Sequence, residues 1–264
     1  MTHPNPHMHP ILEKLGFVPM FAQTMESLAD SAGPCVDLIT RFNLGATGVE
    51  PKTRALVGVA AATASGYPDM AAFQSGFHPE ITESFINEAQ FLAAQVAGLS
   101  TFLTARSPSF ETFKEDVEKM SAAVKRLGQQ KPVIPPEGNA QDQIRAAYGF
   151  IPLFVSEMAR VPGALDAVWR LMRTYHFEKT HLDPQTRMMI NLSAATAIRC
   201  PHSIHLYTAL AHAVGVSEAH VREVTFLASV TVQWGVYLRS RGIGRVALLA
   251  DARLLRERVG VLRA

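Results

Sequence analysis

The run RCPHSIHLY at 199–207 brings a thiol, two imidazoles, a hydroxyl and a phenol within about two helical turns. Cys200 precedes Pro201, and proline is favoured at the first position of a helix, so the sulfur is expected at a helix N-terminus. Unpaired N–H groups and the positive end of the dipole favour thiolate there. His202 and His205 offer imidazoles to accept its proton, with Ser203 and Tyr207 as polar lining. The alternative is a cysteine packed as a small apolar group, and both readings stand at this level. His202 and His205 lie three apart, a spacing that can hold a metal, with His212 further along. No Asp or Glu occurs between 184 and 217 to complete a first shell, so no metal is expected. Arg187 and Arg54 suit either a substrate carboxylate or an ion pair to a neighbouring helix. Cys35 is expected to pack in the core.

Helical elements must position these groups. Strand signals are thin, since no apolar–polar alternation persists and no Asn-Gly turn occurs. Asp183 followed by Pro184 reads as a capped helix start, and PQTRMMINLSAATAI is apolar almost all round after Arg187, so this helix is expected to be central. PHSIHLYTALAHAVG follows, closed by Gly215, and then SEAHVREVTFLASVTVQWG, capped by Ser217. SPSFETFKEDVEKMSAAVKRLG reads as an amphipathic surface helix. RVALLADARLLRERV, with its apolar stripe, suits packing on a neighbour or a partner chain.

The chain repeats itself. A shift of 133 positions lays GFVPMFAQTM (16–25) on GFIPLFVSEM (149–158) and PKTRALVGVAAATASGYP (51–68) on PQTRMMINLSAATAIRCP (184–201). Gly16/Gly149, Pro19/Pro152, Pro51/Pro184, Arg54/Arg187 and Pro68/Pro201 are identical pairs. Two helical units are expected, at 11–128 and 140–264, joined by a proline-stiffened linker at 129–139.

The bulk numbers narrow the function classes. At 264 residues, 48% apolar and 18% charged, the chain reads as globular with a sizeable core. A formal charge of +2 gives no nucleic-acid surface. No apolar run approaches the roughly 18–20 residues that span a bilayer, and MTHPNPHMHP lacks the pattern of a secretory leader, reading as a frayed tail. Two cysteines make no disulfide framework, so a cytoplasmic protein is expected. No phosphate loop, Ser–His–Asp order or zinc-type spacing is present, and no cofactor is expected.

The G-[IV]-P opening, the Pro-x-Thr-Arg start of an apolar helix and CPHSIH…AHAVGVS together resemble the carboxymuconolactone decarboxylase and alkylhydroperoxidase-D superfamily. The resemblance covers most of 149–235 and, through the repeat, much of 16–103. It implies an all-α fold, a tandem of the family's helical unit, and a homo-oligomer, with a trimer favoured for a two-unit chain. In its peroxidase members a Glu precedes Cys-x-x-Cys, and a His follows four residues after the second Cys. Here those places hold Met188, Cys200, Ser203 and Tyr207, with His202 matching a histidine found between the cysteines of some members; in the first unit, Ala55, Tyr67, Met70 and Gln74 stand in the Glu, Cys, Cys and His places. The implied activity is peroxide reduction through Cys200, with an external thiol as reductant. The alternatives are a cofactor-free lyase or isomerase of a small lactone acid, with Arg187 and His205 binding substrate, and a non-catalytic binding or assembly protein.

Overall fold

The computed structural model describes residues 8–25, 28–45, 47–106, 109–128, 138–176 and 181–261. His3, His7 and positions 129–137 of the expected linker lie outside them. Among the described residues the fold is all-α. The helices are α1 (His9–Leu15), α2 (Met20–Gln23), α3 (Ala29–Ile39, continued by a π-helical turn Thr40–Leu44), α4 (Pro51–Ala64), α5 (Pro68–Ser75), α6 (Glu83–Arg106) and α7 (Phe110–Leu127). There follow α8 (Ala140–Tyr148), α9 (Leu153–Met158), α10 (Ala164–His176), α11 (Pro184–Ile198), α12 (Pro201–Ala213), α13 (Glu218–Ser240) and α14 (Arg245–Val261).

Helix starts follow local chemistry. Asp183 caps α11, its carboxylate accepting from Thr186 N–H at 2.9 Å and from the Thr186 hydroxyl at 2.6 Å, with Pro184 in the first turn. Ser217 caps α13 through His220 N–H, and Ser109 caps α7 through Thr112 N–H. Gly16 and Gly149 end α1 and α8 in the left-handed region, at φ 74° and 83°, where a side chain would be strained. The helix expected over 217–235 runs on to Ser240. Gly235 is carried inside it because the Tyr67 ring lies on that glycine, where a Cβ would collide.

At the centre α4 and α11 lie against each other. Thr53 Oγ1 and Thr186 Oγ1 meet at 3.3 Å, and the Ser193 hydroxyl donates to the Val57 carbonyl at 2.8 Å. Ala55, Val57, Val59 and Ala60 on one side, and Ile190, Leu192, Ala194 and Ala195 on the other, are buried. This all-round apolar pair is enclosed by α6 and α13, each touching both, with α5 beside α4 and α12 beside α11.

The two halves of the chain exchange their last helices. α7 packs on α12, α8 and α9, while α14 packs on α5, α2 and α1. Neither is a detached surface helix: Phe113, Val117 and Met120 of α7, and Leu248, Ala252 and Leu255 of α14, are buried. Carboxylates fasten the exchange. Asp116 of α7 accepts from Leu153 N–H at 2.6 Å, and Asp251 of α14 accepts from Phe21 N–H at 3.1 Å. Glu88 of α6 accepts from His181 N–H at 3.1 Å, and Glu223 of α13 from Gly48 N–H at 3.0 Å. Each carboxylate thus ties down a backbone segment in the opposite half.

Burial pushes the Asp251 carboxyl above its usual range, against the N–H groups of Met20 and Phe21, which pull it down. Its folded value exceeds the unfolded one, so the folded chain holds this proton more tightly, and this group's contribution to stability falls as pH rises through that window. Asp251→Asn keeps an acceptor for Phe21 N–H and should flatten the decline, read by urea unfolding from mildly acid to neutral pH. Asp251→Ala removes the acceptor and should cost about 1–3 kcal/mol.

Candidate functional site

Cys200 is the N-cap residue of α12 and is buried, 4% exposed. The residue before it, Arg199, has φ 64°, the left-handed conformation that ends α11; Gly66 holds the same position before Tyr67, at φ 74°. A non-glycine residue there carries strain. The short turn directs the sulfur toward α6. Its S–H donates to the Ser100 carbonyl at 3.7 Å, and the Thr104 hydroxyl donates to the sulfur at 3.7 Å. The same Thr104 hydroxyl lies 2.8 Å from the Ser100 carbonyl. One proton therefore serves two acceptors, and it can swing to the sulfur when the thiol ionises. Ser203 is buried and accepts from the Ser100 hydroxyl at 2.8 Å.

Burial acts to raise the Cys200 pKa. The Ser203 backbone N–H and hydroxyl, the Thr104 hydroxyl and the His202 N–H outweigh it, and the thiol lies below its ordinary value. Cys35, half-buried on α3 and also a free thiol, moves the other way, pushed up by burial.

α12 divides the expected site residues between two faces. Cys200, Ser203 and Tyr207, spaced 0, 3 and 7, form the stripe turned to α6. His202 and His205 stand two residues out of phase, about 200° round the helix, and face α7. The His202 ring lies 4.9 Å from the Phe113 ring and 5.2 Å from that of Phe110, and the His205 ring 5.7 Å from Phe110. What His202 gives the sulfur is its backbone N–H. His205 is held below its usual pKa by burial and by Lys114, with Glu118 opposing, and its Nε2 is buried without a hydrogen-bond partner.

Arg187 stands apart from all of these. It sits on the first turn of α11 while Cys200 follows the last, and at about 1.5 Å per residue the two are roughly 20 Å apart. α12 runs back antiparallel, since Gln185 Nε2 donates to the Val214 carbonyl at 3.1 Å, so Arg187 lies level with the far end of α12. Arg187 is 7% exposed; burial lowers its pKa, and the charges of Glu88 and Asp183 restore part of it. Arg54 is likewise buried, donating to the Thr47 hydroxyl at 2.8 Å, and Thr47 in turn meets Glu223. The partners Glu88 and Glu223 escape a reading of local motifs, though their places at corresponding points of α6 and α13 are a signal that pattern comparison could use.

Tyr207 is buried, its hydroxyl held protonated by burial and by neighbouring Tyr148. It lines a cavity of about 510 Å³ among α6, α9, α10 and α12. Among the described residues no group of three His, Cys, Asp or Glu could hold a metal ion, and no helix is long and apolar enough to cross a membrane.

Residues 162–244 match the model of the carboxymuconolactone decarboxylase family, so this stretch of the chain is similar to that family. No curated protein and no solved structure was found to match.

Ionisation of Cys200 should be resolved by alkylation with iodoacetamide at a series of pH values, read peptide by peptide. Cys200 should react with a midpoint below, and Cys35 above, that of a free thiol. Thr104→Val and Ser203→Ala should each move the Cys200 midpoint upward and cut its rate at neutral pH severalfold, because each removes a donor to the thiolate.

Proposed function

We propose that this chain is a thiol-dependent oxidoreductase of its family that reduces a peroxide through Cys200. The carrying observation is the sulfur at the head of α12, where amide and hydroxyl donors overcome burial and favour thiolate. The thiolate attacks one peroxide oxygen and the O–O bond breaks. The departing oxygen takes up a proton as an alcohol or water, and the cysteine is left as sulfenic acid. An external thiol then condenses with it, releasing water and forming a mixed disulfide; a second thiol frees Cys200 and leaves as the oxidised disulfide. Ser203 fills the place of the family's second cysteine and cannot form a disulfide with Cys200, so the attack falls to Cys200 and the reductant comes from outside. In this reading the protein is a two-unit chain. Supporting it, α4 and α11 start 133 positions apart, and α6 and α7 precede α13 and α14 by a constant 135. A homotrimer is the assembly that the family resemblance implies.

Two observations favour a second, non-catalytic reading: the sulfur is 4% exposed, and both histidines of the motif pack on aromatic rings. A lyase would need Arg187 to hold a carboxylate beside His202 or His205. The antiparallel turn sets Arg187 at the other end of α12 from them, and Glu88 stands by it as an internal counter-charge.

Treatment with cumene hydroperoxide or hydrogen peroxide, followed by a dimedone probe, should label Cys200 and not Cys35. Dithiothreitol should support turnover that Cys200→Ser abolishes. Full turnover by Cys200→Ser, or a Cys200 that stays unlabelled at peroxide concentrations that oxidise free cysteine, would leave the non-catalytic reading in its place.

A further inference from the structure

The cavity beside Tyr207 has a composition that neither the motif nor the thiol chemistry requires. Its walls are Phe91 and Phe102 of α6, Met158 of α9, Val168 and Met172 of α10, and Tyr207 of α12, and no charged side chain lines it. Its volume, about 510 Å³, is within the ordinary range for small-molecule sites. Two polar groups interrupt the apolar wall. The Tyr207 hydroxyl stays protonated across the physiological range, held so by burial and by neighbouring Tyr148, so it can donate to a bound acceptor. Gln95, also lining the cavity, has both its amide oxygen and its amide nitrogen buried without a hydrogen-bond partner. An amide left in that state is costly to the folded chain and is rare in proteins. With no bond to restrain it, the amide can turn to meet an arriving group. Thioethers of Met158 and Met172 adapt to differing shapes.

We propose that this cavity binds a neutral, largely apolar molecule bearing one carbonyl or hydroxyl oxygen, which accepts a hydrogen bond from Tyr207 and engages the Gln95 amide. Neutrality follows from the walls: a carboxylate would be desolvated with no cation to meet it. The ligand is therefore of a different class from the small carboxylic acid that the lyase reading would require. The inference does not rest on any reactivity at Cys200.

Prodan, a neutral naphthalene ketone whose emission shifts to the blue in apolar surroundings, is a suitable probe for the full-length protein. It should bind saturably with a blue shift, and 1-decanol should displace it at concentrations well below those needed with decanoate. Tyr207→Phe should weaken prodan about tenfold, the worth of one good hydrogen bond. Gly98 lines the cavity on α6, and a Cβ built there meets nothing within 4 Å, so Gly98→Leu can fill the space without collision. Leucine also suits a helix interior better than glycine. Gly98→Leu should lose prodan binding while its thermal melt stays as high as that of the parent. The proposal is overturned by any of four results: no saturable binding, undiminished binding to Gly98→Leu, decanoate competing as well as 1-decanol, or unchanged affinity in Tyr207→Phe. It also fails if light scattering shows a stable oligomer that excludes the dye until it dissociates, since that face would then be an interface between copies.

Discussion

α4 and α11 have no side that tolerates water, and this constraint organises the molecule. A helix that is apolar all round must be covered on every face, and each of these two covers only one face of the other. Small residues let them approach closely enough for Thr53 to reach Thr186 and for Ser193 to bond the Val57 carbonyl. The remaining faces are closed by α6 and α13, then by α5 and α12. The place of Cys200 follows from this enclosure. α11 ends in a left-handed residue, and the turn that results sends α12 back along it with its first amides facing α6.

Four carboxylates carry the coupling between the halves, and they do so through backbone rather than through cations alone. Asp116, Asp251, Glu88 and Glu223 each accept from a main-chain N–H that no helix satisfies. A hydrogen bond between an ionised acceptor and an amide is stronger than a neutral one, and burial sharpens the loss when either partner is missing. Arg54 and Arg187 join the same arrangement, Arg54 through Thr47 to Glu223 and Arg187 through the field of Glu88. The recurrence of these arginines one turn into each core helix therefore has a local cause in the fold, whatever else they do.

The helix starts were legible because they are written in adjacent residues: Asp183 before Pro184, Ser217 before an apolar run, Gly149 closing α8. The all-round burial of α11 could be read from its composition for the same reason. Harder to see was the rotation of α12 about its axis, since that is set by which neighbour supplies polar groups. Ser100 and Thr104 stand about a hundred residues away and draw Cys200 and Ser203 to α6, while Phe110 and Phe113 draw the histidines to α7. Five reactive residues in nine positions read as one site, yet a helix of 3.6 residues per turn necessarily spreads such a cluster around its circumference. The amide of Gln95 carried no signal at all, because an unpaired group is defined only by its surroundings.

The exchange of terminal helices sets an order on synthesis. Phe21 N–H finds its acceptor 230 positions later, at Asp251. While the ribosome is still at work, α2 has no cap and α5 lacks the neighbour that shields it. The segment around Phe21 must therefore wait, partly uncovered, until α14 has been made and can fold back onto it.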